Sequence, residues 1–140
     1  MKNIQLTCAH ALVKFLIAQK TLIDGKKVPL FPGVFGIFGH GNVACLGQAL
    51  QENQKELPTW RGHHEQNMAL TGIAYSRAKR RKQIFVATSS VGPGSTNIII
   101  TYANELITRN SRGPNFFNFL LKSVMFLQSL IYPMYFQKNQ

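Results

Sequence analysis

The chain has 140 residues, 45% of them hydrophobic, which is enough apolar material for one modest core and excludes a wholly disordered polypeptide. A formal net charge of +11, from 16 Lys and Arg against 5 Asp and Glu, raises nucleic acid or an anionic membrane surface as partners. The one dense cationic run, RAKRRK at 77–82, lies between a helical and a strand pattern, where a solvated connector is expected, so neither nucleic acid nor membrane is the expected partner.

In chain order, Thr7 can cap a first helix whose apolar residues Ala11, Leu12, Phe15 and Leu16 recur at helical spacing, ending near Lys20. DGKKVPLFPG is rich in turn formers and reads as a connector. VFGIFG is a short apolar run of the kind a strand covered on both faces carries, and Gly39, His40 and Gly41 break it. Asn42 can cap a second helix, VACLGQALQEN; Pro58 and TWRG then suggest a second short strand. EQNMALTGIAYSRA reads as a helix rich in small residues, and KQIFVATSS is the strongest strand pattern in the chain. VGPG turns the chain, after which Ser95 or Thr96 can cap a helix beginning NIII.

An initial helix followed by strand and helix three times over predicts an α/β fold: a parallel sheet with helices on both faces and right-handed crossovers. In such sheets ligands sit beyond the carboxyl ends of the strands. Those ends carry residues 39–42, 63–65 and 91–97, and Glu65 is the only acid among them.

Other chemistries lack their signatures. There is no G-x-x-x-x-G-K-[ST] phosphate loop, and GIFGHGN is only superficially like a dinucleotide fingerprint. Ser89 and Ser90 lie in no G-x-S-x-G elbow and Asp24 is the sole aspartate, which argues against a hydrolytic triad. His63 and His64 are adjacent, so their side chains diverge and no metal site is expected. Cys8 and Cys45 belong to no C-x-x-C unit and are expected as reduced, buried thiols, which points to the cytoplasm. No small-residue cleavage site follows the N-terminal apolar pattern, so no secretory signal is expected.

GHHEQNMALTGIAYSRA followed by IFVATSSVGPGSTN resembles the pyrimidine-binding domain of thiamine-diphosphate enzymes of the acetolactate synthase type. That family carries an H-E-Q-x-A-type segment and, after an alanine-rich helix and a strand, a T-S-x-G-P-G-x-T-N-type loop. FPGVFGIFGHGNVACLGQAL is similar to the branch that opens trihydroxycyclohexane-dione in myo-inositol catabolism, and the likeness covers roughly residues 3–100. The resemblance implies thiamine diphosphate as cofactor, with Glu65 as the catalytic carboxyl hydrogen-bonded to its pyrimidine ring. It implies that Pro93, Gly94 and Asn97 shape the loop around the pyrimidine, and that Gly39, His40 and Gly41 border the substrate. It also implies a small-molecule substrate, a homo-oligomer, and Mg²⁺ held by a diphosphate domain. The G-D-G motif of that domain does not occur in this chain, so the expected activity alone is nil. The alternatives are the same domain from an acetolactate-synthase-like or pyruvate-oxidase-like enzyme, or a small basic nucleic-acid or membrane-surface binding protein.

After Asn97 the likeness fails, which predicts a partial pyrimidine-binding domain over 1–101 and a divergent hydrophobic tail, irregular or non-native, over 102–140. RNSRG can be encoded so that a reading begun one nucleotide later gives Glu-Ile-Pro-Val, and SVMFLQ so that one begun two nucleotides later gives Gly-Asp-Val-Phe-Ala. Both hidden strings are family-like and in the right order, so the expectation is a truncated, frameshifted gene. The competing reading of 116–136 is a hydrophobic anchor of nearly bilayer-spanning length, interrupted by Asn118, Lys122, Gln128 and Pro133.

Overall fold

The computed structural model describes residues 5–108; the hydrophobic segment 116–136 and the two family-like coding strings lie outside them. Helix α1 (Cys8–Ala18) starts where expected, because Thr7 is extended and its hydroxyl accepts the His10 N–H at 3.3 Å. It ends at Gln19, whose extended backbone returns its N–H to the Leu16 carbonyl. The buried stripe is Ala9, Val13 and Leu16, with Leu12 partly covered. Ala11 and Phe15, expected inside, are exposed, because α1 packs against the helical stretch 43–52 along that narrower, rotated stripe.

The expected connector contains a hairpin. Strands β1 (Lys20–Ile23) and β2 (Lys26–Pro29) pair antiparallel, Ile23 opposite Lys26. Asp24 and Gly25 between them both adopt positive φ, 50° and 75°, as a two-residue hairpin turn of matching twist requires.

The central sheet is parallel, as expected: β3 (Val34–Gly36) lies between β4 (Thr59–Arg61) and β5 (Val86–Thr88), with Val34 opposite both Thr59 and Val86. Backbone bonds extend these short ladders, from Val34 N to Pro58 O, Ile37 N to Thr88 O and Gly62 N to Gly36 O. Alternation along β3 divides the two faces. Val34 joins Val13, Leu16, Leu46, Ala49, Leu50, Leu57 and Val86 in the main core. On the other face Phe35 stacks on Phe85 at 4.7 Å, and Tyr75 of helix α4 (Glu65–Ala78) meets Phe85 edge-on. Helices therefore cover both faces of the sheet, confirming the α/β class.

Between β3 and β4 the chain is helical from His40 to Glu52, as α2 (His40–Asn42), a π turn (Val43–Gly47) and α3 (Gln48–Glu52). Asn42 is therefore not a cap. Gly39 occupies that position with extended backbone, and Asn42 is already helical at φ −82°. The last helix, α5 (Pro93–Thr108), likewise starts before the expected caps, because proline's fixed φ suits a first helical residue. Ser95 and Thr96 lie inside its first turn, where they donate back to the Ser90 and Gly92 carbonyls. Both cysteines are free but exposed, contrary to expectation: Cys8 opens α1 and Cys45 sits on the outer side of the π turn, whose inward residue is Leu46. Among the described residues no helix is long and apolar enough to cross a membrane.

Candidate functional site

The loops after β3, β4 and β5 meet beyond the carboxyl ends of the parallel strands, and their contacts can be followed outward from Glu65. This residue opens α4, directly after the extended His64, where the partial positive charge of a helix N-terminus favours a carboxylate. It is half-buried. Its Oε2 accepts a hydrogen bond from Asn97 Nδ2 at 3.2 Å, which ties the start of α4 to the first turns of α5.

Gly94 closes the other side of the carboxyl group. A Cβ at this buried glycine would stand 2.7 Å from Glu65 Oε1 and 2.7 Å from Ser90 Oγ, inside van der Waals contact with both. The missing side chain keeps Oε1 open. Ser90 in turn abuts the first loop, since a Cβ at Gly39 would come within 3.0 Å of Ser90 Cβ. Asn42 adds a second tie by donating from Nδ2 to the Ser89 carbonyl at 3.3 Å.

Gly94 and Asn97 thus both adjoin the Glu65 carboxyl group, and Gly39 approaches Ser90 beside it. The remaining candidates stand farther out. Pro93 is exposed and begins α5; His40 is exposed; a Cβ at Gly41 would meet nothing within 4 Å. His63 and His64 are exposed too, and among the described residues no three His, Cys, Asp or Glu side chains are grouped to hold a metal. The other acids with described side chains are remote in the chain's layout: Asp24 in the hairpin turn, Glu52 and Glu56 at and after the end of α3.

Two residues at this site escaped the sequence. Ser90 was dismissed with Ser89 for lacking a nucleophile elbow, and Asn42 was assigned to a cap. The available signal was position: Ser90 immediately precedes the VGPG turn, so whatever that loop encloses must pass its side chain.

The dense basic run lies at the opposite end of α4. Lys79 Nζ sits over the Tyr75 ring at 5.7 Å, and Arg80 and Arg81 take left-handed φ of 50° and 62° as the chain reverses. The backbone N–H groups of residues 79–82 are all bonded to carbonyls of the preceding turn or to one another's segment, which makes this a closed helix terminus.

Curated proteins carry the same stretch of sequence. The chain is 52% identical over 103 residues to a 3D-(3,5/4)-trihydroxycyclohexane-1,2-dione hydrolase of Geobacillus thermodenitrificans, covering 74% of this chain and 16% of that protein. It is 50% identical over 103 residues to the protein of the same name from Bacillus thuringiensis, with the same coverage. The protein of that name from Listeria innocua is 48% identical over 109 residues, 75% of this chain and 17% of its own length. The chain therefore spans about one-sixth of the length of these relatives. No family model matches it, and no solved structure does. At this identity, over three-quarters of the chain, it is a homologue of a segment of the trihydroxycyclohexane-dione hydrolases, as its motifs suggested.

Proposed function

We propose that this homologue of the trihydroxycyclohexane-dione hydrolases is the cofactor-activating part of such an enzyme, the unit that presents Glu65 to the pyrimidine ring of thiamine diphosphate. The observation that carries the reading is the half-open carboxyl group: Asn97 holds Oε2, while Oε1 faces the space left by the absent Gly94 side chain. A flat heteroaromatic edge fits such a cradle, because it can approach a carboxyl oxygen over a glycine backbone where a Cβ would block it. Residues and group are compatible on that ground.

When bound, the cofactor supplies a carbanion at its thiazolium carbon, which can add to a carbonyl and assist cleavage of the neighbouring carbon–carbon bond. The protein's own residues orient and exchange a proton. Glu65 Oε1 would share a proton with the ring nitrogen, Asn97 would anchor Oε2, and Gly94 would admit the ring. Gly39 abuts Ser90, and we assign it, with His40 and Gly41 that follow it in the same segment, to the substrate side. The substrate is proposed as the cyclic diketone named in the relatives, and the reaction as its hydrolytic ring opening, in the cytoplasm and in a homo-oligomer. Mg²⁺ and the diphosphate would be held by a domain bearing the G-D-G motif that this chain lacks.

The test uses an enzyme in which that diphosphate domain accompanies this one. Glu65→Gln should leave the fold intact and slow hydrogen exchange at the thiazolium carbon by about 10²-fold or more, the scale of a lost acid–base partner. Exchange at the wild-type rate would remove Glu65 from the mechanism. Ring opening of the diketone by the wild type separates this reading from an acetolactate-synthase-like or pyruvate-oxidase-like one.

A further inference from the structure

Ser90 stands where the three loops meet, and the chemistry assigned above does not use it. Its backbone is pinned from two sides: its own carbonyl accepts from Ser95 Oγ at 3.1 Å, and the preceding carbonyl, of Ser89, accepts from Asn42 Nδ2 at 3.3 Å. Its hydroxyl makes no hydrogen bond among the described residues. Glu65 Oε1 makes none either, since the Asn97 amide takes Oε2. Both oxygens lie 2.7 Å from the point a Gly94 Cβ would occupy, so they are less than twice that length apart. One can donate and the other can only accept while Glu65 is ionised.

We propose that Ser90 is a positioning residue for Glu65: its hydroxyl donates to Oε1, directly after a rotamer change or through one bridging water, and holds that oxygen against Gly94. A serine hydroxyl has three staggered wells to choose from, and a water can bridge two oxygens too far apart for a direct bond. Asn97 alone fixes one oxygen and leaves the carboxylate plane free to turn. A second donor fixes the plane. The hydroxyl then yields Oε1 when a ligand's ring nitrogen arrives, so the carboxyl is aligned beforehand and little ordering remains to be done on binding. Only the identity of that ligand rests on the cofactor reading; the Ser90–Glu65 contact does not.

The first measurement is made on the full 140-residue chain with ¹³C-labelled glutamate carboxyl groups. Ser90→Ala should move the Glu65 carboxyl resonance, leave those of Glu52 and Glu56 in place, and be reversed by Ser90→Thr, which restores a hydroxyl. A Glu65 resonance identical in wild type and Ser90→Ala, with Glu52 and Glu56 unmoved, overturns the proposal. Should the alanine variant fail to fold, Ser90→Cys keeps the volume with a weaker donor, and an unmoved Glu65 resonance there is equally decisive. With the diphosphate domain present, Ser90→Ala should weaken thiamine diphosphate binding about three- to tenfold, the scale of one ordinary hydrogen bond, with Ser90→Thr restoring it. A resonance that follows Ser90 while thiazolium exchange ignores Glu65→Gln would sustain the contact and sink only the cofactor reading.

Discussion

Two glutamates at opposite places in the fold show what a carboxylate is for. Glu52, at the end of α3, has both oxygens engaged: His10 Nε2 lies 2.7 Å from Oε2, and Gln48 Nε2 donates to Oε1 at 3.0 Å. Glu65 has one oxygen engaged by Asn97, and its other faces a glycine. The first is spent within the fold, fastening α1 to α3. The second leaves an acceptor for something else, inside a half-buried setting where an unused acceptor has an energetic cost.

Two glycines sharpen the contrast. The atoms nearest a Cβ at Gly94 belong to the movable side chains of Glu65 and Ser90 rather than to backbone, and Gly94 has no positive φ to protect. Gly94→Ala should therefore leave thermal stability nearly unchanged, the methyl group's crowding being offset by alanine's better helix propensity. It should nonetheless displace Oε1 and slow thiazolium exchange about as much as Glu65→Gln, on the order of 10²-fold. A normal exchange rate in Gly94→Ala would mean that the cradle is incidental. At Gly33 a Cβ meets the Trp60 ring, the Phe85 ring edge at 2.9 Å and the Pro58 carbonyl at 2.8 Å, a backbone atom that cannot step aside. Gly33→Ala should cost about 1–3 kcal/mol in denaturant unfolding, as overpacking does, with no direct effect at Glu65. Equal stability losses at the two glycines would erase the distinction between them.

The Glu52 end also depends on how α1 begins. Thr7 both caps that helix and lies 2.7 Å from His10 Nδ1, so it fixes the ring that reaches Glu52. Thr7→Ala should lower stability by about 1 kcal/mol, the usual worth of an N-cap hydroxyl, while Glu65 stays unaffected. Chemical denaturation of the two proteins measures it, and a stability equal to wild type would reduce Thr7 to a bystander.

Sequence patterns foretold these two regions unequally. Helix α4 was legible to the residue because Glu65–Ala78 combines an acid at its start with good helix formers and no internal proline. The parallel order of the sheet followed from the alternation of patterns. The hairpin did not, because Lys20–Ile23 and Lys26–Pro29 carry too few apolar residues to announce strands, and only Asp24-Gly25 marks the turn. Both displaced helix starts have one cause: Asn42, Ser95 and Thr96 are good capping types, but Gly39 and Pro93 take the entry positions, so Asn42 joins its loop to Ser89 while Ser95 and Thr96 bond back to the turn before α5. Ser90 was invisible as a site residue for a related reason. Its role depends on Gly39 and Gly94 lying on either side of it, contacts between residues about 50 apart for the first and four apart for the second.

The smallest effect expected is in the pH dependence of stability, and it belongs to Glu52. The His10 hydrogen bond and then that of Gln48 hold the Glu52 carboxyl below its ordinary value of 4.5, against a smaller opposing effect of burial, with the attraction of the His10 charge the least of the causes. A carboxyl whose folded pKa is depressed contributes stability that is fully present above the unfolded value and lost as pH falls through the folded one. The Glu52 carboxyl should thus contribute a constant amount above its ordinary 4.5 and lose it as acid protonates the residue below that. His10→Ala, by removing the largest cause, should flatten that part of the acid limb while leaving the neutral plateau close to its original height, because the pair is exposed and worth little on its own. The thiazolium exchange of the assembled enzyme should not follow this substitution, since Glu52 has no open oxygen to lend and touches none of the three loops around Glu65. An exchange rate that tracked His10→Ala would join the two carboxylates into one system, and the division between a glutamate used by the fold and a glutamate kept for a ligand would fail.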